Sequence, residues 1–532
     1  MEKRLVLAIA LSVLVVLTFQ YFMPQPTQGP VTGKPGQQIA PVSVKEPEAI
    51  SPVPPERLAE EKTIRIDTNR YILAFSNIGG SLKDIKLKDF KDANSNEPMG
   101  LVNLADPKEY IFALSSISLP TSLNFSEYEP ERKGDVLTYT LNTKDFKVTK
   151  EYFLPNYKYI IELEVFVKNI SDSPKEFSYT VIGGSGVSEP SIQDRRFVEV
   201  VSKINDKILN FKRPKMSERI INPGLVNWAA LKNKYFSLIL KPFVNTRAGF
   251  YSANRDGHLV VGVEPETVII QPGASIQHKF LLYAGPSQTH ILKETGYGFE
   301  ESINYGFFGP ISKVLISSMR FFYKIVHNWG ISVILLSVFL NIILFPLTIK
   351  SFKSMLKMQE LHPQMEKIKI QHKDNPQKMN KEMMELYKKY NINPLSGCLP
   401  MLLQMPIFIA LYQALMKSIE LRSATFLWIK DMSMPDAILL PLSFPIIGNS
   451  INILPIIMVI AMIIQQKIST KSMGSAVTEE QKQQQKMMLI IMPIAFGFIF
   501  YNMPSGLVLY WVINTVLTIA EQALILKNAE YL

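Results

Sequence analysis

The chain has 532 residues, too many for one ordinary domain, and 47% are hydrophobic against 19% charged, which excludes a disordered chain and points to a membrane component. Its single cysteine, Cys398, excludes an intramolecular disulfide framework and any cysteine-rich metal or iron–sulfur site. A formal charge of +11 fits either a nucleic-acid partner or the basic loops of a membrane protein, so its distribution has to decide.

Behind Met1-Glu2-Lys3-Arg4, residues 5–23 form an uncharged apolar run of 19 residues, long enough to span a bilayer. The run ends in Tyr21-Phe22-Met23-Pro24 rather than a small-residue cleavage site, so residues 1–23 are expected to be an uncleaved anchor with its amino end inside. Residues 24–61 carry nine prolines and few large apolar residues, which predicts an extended linker. From 62 to 290 the pattern has period two, as in TIRIDTNRYILAF and YKYIIELEVFVKNI, with turns such as Asn77-Ile78-Gly79-Gly80 between runs. That predicts an all-β sandwich or barrel, extracytoplasmic because it follows a span that starts inside. Residues 299–326 then read as an amphipathic interfacial helix, with Phe307, Ile311, Val314, Leu315, Met319, Phe322 and Ile325 on its apolar face.

Residues 327–527 are expected to form the helical membrane core. Apolar stretches cover 331–349, 397–416, about 451–466, and 487–520, the last broken by Asn502-Met503-Pro504-Ser505-Gly506 into two spans. With the anchor these make six spans. AILLPLSFPIIG at 437–448 is short and holds two prolines, which favours an interfacial loop. Residues 350–395 carry ten lysines against five acids, so that loop should stay in the cytoplasm, with both termini. The residues thus give a multi-domain membrane protein: a polytopic α-helical membrane domain plus an all-β extracytoplasmic sandwich or barrel, which the resemblance described below narrows to an all-β periplasmic sandwich.

Catalytic patterns are lacking: there is no HExxH, GxSxG, P-loop or GxGxxG after a strand, so neither an enzyme, a cofactor nor nucleotide-driven transport is expected. The six histidines are scattered and suggest no metal. Leu395-Ser396-Gly397-Cys398 imitates a lipoprotein box, but its internal position favours structural small residues. Within 350–392, Phe352, Met355, Leu356, Leu361, Met365 and Ile368 form one helical stripe, and Met379, Met383, Leu386, Tyr387 and Tyr390 a second. Asn375 as N-cap with Pro376 behind it makes these a helical hairpin. It is either self-packed or a docking element whose cationic face holds Lys353, Lys357, Lys367, Lys369, Lys378 and Lys381.

Eighteen of the 23 methionines fall at or after Met355, as suits adaptable apolar surfaces and also suits plain gap filling. Polar residues inside the spans include Ser337 and Asn341, Gln404 and Gln413, Gln465 and Gln466, and Asn514, Thr515 and Thr518. On several helices at once they suggest a wet cavity, although interhelical hydrogen bonds explain each singly.

The carboxyl-terminal half resembles the YidC/Oxa1/Alb3 family of membrane protein insertases, in its bacterial form with a large periplasmic domain. The likeness rests on NWGISVILLSVFLNIILFPLT at 328–348, NPLSGCLPMLLQMPIFIALYQAL at 393–415, ELRSATFLWIKDMS at 420–433 and MPSGLVLYWVINTVLTIAEQ at 503–522. NWAALKNKYFSLIL at 227–240 and LLYAGP at 281–286 carry a looser match, implying a sandwich similar to sugar-mutarotase folds. The resemblance implies insertion and folding of inner-membrane proteins, alone or beside the Sec translocon, without nucleotide hydrolysis. It further implies a hydrophilic groove, open to cytosol and lipid, at Ser337, Asn341 and Trp511 with Gln404 and Gln466 nearby. Asn341 stands where the family usually has an arginine. Few residues follow the last span, so contact with the ribosome or signal recognition particle is expected of the lysine-rich loops, which also favour anionic lipid and show no sequence-specific nucleic-acid reader. The rival reading is a membrane-tethered periplasmic protein that binds or processes carbohydrate.

Overall fold

The computed structural model describes residues 42–45, 60–92, 97–116, 122–154, 158–188, 197–211, 218–253, 258–373, 375–390, 399–444, 448–472 and 487–529. The anchor expected at 1–23, the Leu395–Cys398 motif and residues 473–486 lie outside them.

The amino-terminal region is mostly sheet. Nine antiparallel strands form one layer in the order 207–211, 199–204, 226–232, 236–242, 275–286, 160–169, 146–153, 136–142 and 129–133. A six-stranded layer, ordered 42–45, 218–223, 246–253, 259–265, 179–185 and 114–116, packs on it, strand 226–232 lying against 259–265. A smaller four-stranded sheet spans 63–103. Alternation builds the core: Phe146, Val148, Lys150 and Tyr152 all point inward from one strand. Lys150 is fully buried, where burial pushes its ammonium well below the ordinary lysine range. Its Nζ donates to the Gly79, Gly80 and Phe112 carbonyls and to Ser81 Oγ at 2.8–3.2 Å.

Two departures from expectation lie here and beyond. Val42–Lys45, inside the expected linker, is an antiparallel edge strand on Glu218–Ile221, because an open sheet edge offers unpaired backbone groups to any extended segment. Ile438–Phe444 and Gly448–Ile451, expected as a loop, pair as a β-hairpin.

The helices are α1 (Thr289–Glu294), α2 (Gly309–Val326), α3 (Trp329–Glu360), α4 (His362–Gln371), α5 (Pro376–Lys389), α6 (Leu399–Met416), α7 (Ile453–Ser472), α8 (Met492–Phe500) and α9 (Ser505–Ala529). The interfacial helix starts at Gly309 rather than 299, where a 3-10 turn over Phe299–Ser302 stands instead. Its apolar residues divide over two faces. Leu315 and Met319 are buried against the bundle, with Ser312 Oγ donating to the Ala410 carbonyl at 2.8 Å, whereas Val314, Phe321 and Ile325 are exposed.

Helix α3 runs through Pro346 without a break and stops before His362-Pro363. Segments Trp329–Met358 and Ser505–Lys527 are long and apolar enough to cross a membrane, and Gln404–Met416, Ile453–Ser469 and Leu489–Phe500 are shorter apolar helices. The turn at Asn502–Pro504 separates α8 from α9 as the sequence predicts. A π turn at Met487–Ile491 leads into α8, whose Pro493 cannot donate a backbone bond.

The two regions interlock. Ile419, just beyond α6, is buried in the core of the β region. Lys417 Nζ donates to the Asn304 carbonyl at 2.5 Å, Lys232 Nζ to the Ser302 carbonyl at 2.7 Å, and Glu199 lies 3.2 Å from Lys232. Arg320 of α2 pairs with Glu420.

Candidate substrate groove

Helices α3, α6, α7, α8 and α9 enclose a cavity of about 360 Å³. Its lining from α3 runs from Asn341 to Phe352, from α7 from Met462 to Ser469, and from α9 from Trp511 to Gln522. These are the halves of the helices nearest the α4–α5 hairpin, so the cavity lies at the end of the bundle away from the sheets. Towards the sheets the bundle is filled by a buried apolar cluster that includes Met319, Leu336, Leu415, Met432, Met458 and Leu507. Close packing there leaves no continuation for the cavity.

The lining mixes polar and apolar side chains: Asn341, Gln404, Gln465, Asn514 and Gln522 bring carboxamides, interleaved on the same helices with Met405, Phe408, Met462, Met492, Phe496 and Trp511. Among the described residues, none in the lining carries a formal charge. Trp511 packs among Phe408, Phe496 and Phe500 at centroid distances of 5.0, 5.5 and 5.1 Å, which joins α6, α8 and α9.

Hydroxyls and carboxamides behave differently here. Ser337, Thr348, Thr515 and Thr518 donate to the carbonyls of Val333, Leu344, Trp511 and Asn514, each four residues earlier, so their capacity is used within their own helices. Carboxamides reach between helices as well as within them. Asn341 Nδ2 donates to Asn514 Oδ1 at 2.8 Å and to the Ser337 carbonyl at 2.9 Å. Gln404 Nε2 donates to Tyr510 Oη at 2.7 Å.

Of the residues singled out from sequence, Asn341, Gln404 and Trp511 line the cavity. Ser337 does not: it is fully buried below Asn341, and its pairing with Asn341 is through its carbonyl. Gln466 is replaced in the lining by Gln465, because adjacent helical residues point about 100° apart and only one can face the cavity. Tyr510, which anchors Gln404, carried no sequence signal within an apolar span.

The expected hairpin forms, with the Asn375 side chain accepting the Lys378 backbone N–H at 3.1 Å and Pro376 in the first turn. His372 meets Glu382 at 3.0 Å between its two helices. Lys353, Lys357, Lys367, Lys369, Lys378 and Lys381 are all exposed. Among the described residues no cluster of histidines, cysteines and acids suits a metal ion.

Comparison with known proteins agrees over the whole chain. Residues 63–318 match the family model described as YidC periplasmic domain, and residues 321–531 that described as 60Kd inner membrane protein. The membrane protein insertase YidC of Geotalea daltonii is 34% identical over 555 residues, covering 99% of each chain, and that of Geobacter metallireducens is 34% identical over 554 with the same coverage. Among solved structures, an active YidC insertase with its first transmembrane domain resolved is 20% identical over 86% of this chain and 92% of its own, with a TM-score of 0.37. A galactose mutarotase related enzyme from Lactobacillus acidophilus is 11% identical over 42% of this chain and 97% of its own, with a TM-score of 0.33. The full-length identities and the two adjoining family models show that this chain belongs to the YidC family of membrane protein insertases, inner-membrane proteins with a periplasmic domain.

Proposed function

We propose that this protein inserts and folds nascent membrane proteins by receiving their polar segments in the cavity between α3, α6, α7, α8 and α9. The observation that carries the reading is a mainly apolar lining set with five carboxamides, at the hairpin end of a bundle whose other end is packed shut. A polar group stripped of water in hydrocarbon costs several kcal/mol. Asn341, Gln404 and Asn514 offer exchangeable hydrogen bonds to many sequences in place of that water, while Trp511 and the methionines lie beside the apolar part of the substrate. Helical apolar segments then leave for lipid, with about 25 cal/mol per Å² of apolar surface removed from water. No nucleotide hydrolysis enters this scheme.

In this reading the chain crosses the inner membrane six times with both termini cytoplasmic. It divides into an anchor (1–23), a tether (24–61), a periplasmic β domain (62–290), an interfacial helix (299–326) and an insertase core (327–527) holding the 350–392 hairpin. The exposed hairpin lysines receive substrate or an anionic ribosome or signal-recognition surface, and the protein works alone or beside the Sec translocon. Tethered carbohydrate binding is not favoured, since a tether accounts for neither the bundle nor its polar cavity.

Photocrosslinking from positions 341, 404 and 511 to a nascent membrane protein, with water accessibility measured in parallel, tests the scheme. Crosslinks from a wet interior are expected. A dry interior without crosslinks would leave these side chains as packing contacts only.

A further inference from the structure

At the end of the bundle nearest the sheets, the segment between α6 and α7 makes a tight turn with Leu427 and Trp428 at its tip. Leu427 is 76% exposed and Trp428 38% exposed. Leu427 has a φ of 52°, in the left-handed region that a branched side chain rarely adopts. Such a conformation persists only when its surroundings fix it, and here they do. Phe426 and Ile429 exchange backbone hydrogen bonds at 2.9 and 2.8 Å. Phe426 also lies so close over Gly330, at the start of α3, that any side chain there would collide with the ring.

The turn is tied to two more helices. Trp428 Nε1 donates to Asp436 Oδ2 at 3.0 Å, and the same oxygen accepts the Leu454 backbone N–H at the start of α7 at 2.8 Å. Carbonyls of Met432 and Met434 accept the N–H groups of Gly506 and Ser505 at 3.0 and 2.8 Å, at the start of α9. One turn thus holds the starts of α3, α7 and α9, yet leaves Leu427 and part of Trp428 directed outward.

Its neighbours indicate what covers them. Tyr323 and Trp329 stack at a centroid distance of 4.0 Å where α2 passes into α3, and aromatic residues concentrate at bilayer–water boundaries. Phe321 and Ile325 of α2, each 60% exposed, and Ile331 of α3, 40% exposed, add outward apolar side chains on the two helices joined there. That surface belongs to a protein of the inner membrane.

We propose that the Leu427–Trp428 turn inserts into the headgroup–acyl boundary of the periplasmic leaflet and anchors the closed end of the groove helices to lipid. Leu427 enters the acyl side, while Trp428, its ring nitrogen held by Asp436, sits at the boundary. This inference stands independently of the substrate route proposed above.

The test uses full-length protein carrying Cys398→Ser and Leu427→Cys, labelled with an environment-sensitive fluorophore and reconstituted in phosphatidylethanolamine/phosphatidylglycerol vesicles. Nitroxide-bearing lipid should remove most of the emission at 427 and aqueous iodide little. The reverse is expected from Lys133→Cys, whose side chain is 79% exposed on the sheet region. Iodide quenching at 427 equal to that at 133 would overturn the proposal. Shielding from both quenchers would overturn it too, and cross-linking of two copies through 427 would then assign the turn to a protein interface. If the Leu427 variant does not fold, Met434→Cys, at a residue 54% exposed on the same segment, gives the same readout with the same outcomes.

Discussion

Asn341 of α3 and Asn514 of α9 are joined side chain to side chain at 2.8 Å inside the cavity, the one carboxamide donating to the other. Each amide group has more donors and acceptors than this bond consumes, so the pair both fastens two helices and keeps capacity for a passing segment. Asn341→Leu should leave Asn514 without its partner, destabilise the protein by about 1–3 kcal/mol and lower insertion. Asn514→Leu should do the same, and the double variant should lose less than the sum of the two. Asn341→Arg should be tolerated, because the adjoining space admits the longer side chain. Thermal unfolding in detergent and protease protection of a small inserted protein measure both effects.

The lysine-rich hairpin is expected to act by charge at the cytoplasmic mouth. Replacing residues 355–388 by a short flexible linker should impair insertion without altering the topology of the spans. Reversing Lys367, Lys369, Lys378 and Lys381 to glutamate should reproduce much of the defect, and added salt should weaken the wild type's advantage, since exposed charges are screened within about 10 Å at 0.1 M. Insertion at the normal rate in both variants would identify a self-packed hairpin.

Removing the sheet region should spare insertion, provided its contact with the bundle is repaired. Deletion of residues 62–284 strips the cover from Ile419, which is buried in that region's core. The deletion protein is therefore expected to insert substrate but to aggregate, and Ile419→Ser in the same background should restore solubility. Total loss of insertion by a correctly oriented, soluble deletion protein would show that the periplasmic region takes part in the reaction.

Periplasmic acidity should act through His278. Burial lowers its pKa from the usual 6.5, and its Nδ1 shares a 2.6 Å hydrogen bond with the Tyr179 hydroxyl. Between the lowered folded value and 6.5 the unfolded chain binds the extra proton, so stability falls as pH drops through that window and levels off below it. His278→Gln keeps a polar partner for Tyr179 without titrating. Its unfolding temperature should change less than that of the wild type between neutral pH and about pH 5.

Local patterns were readable from sequence wherever neighbours along the chain decide the outcome. Asn375-Pro376 and Asn502-Met503-Pro504 mark a helix start and a break because capping and the missing proline donor are properties of a few residues. Period-two alternation assigned the Phe146–Phe153 strand, but it gave no sign that Lys150 would point inward, since its four acceptors come from 38 to 71 residues away. Helix rotation separated Gln465 from Gln466, and Ser337, one turn before Asn341 towards the packed end, is buried outside the cavity. Pairing of Val42–Lys45 with Glu218–Ile221 was hidden for the same reason as the Lys150 cage: the partner lies far along the chain.

That edge strand also sets a length. With Val42 fixed to Ile221, the chain from Met23 to the sheet reaches at most about 65 Å even when fully extended. Counted to the first strand of the small sheet at Thr63, the reach would have been about twice as great. The span proposed for residues 1–23 would on this leash stay within one small neighbourhood of the sheet edge, and its effective concentration there would be raised accordingly. Unzipping those four residues would about double that reach, so four strand residues set the length of the tether.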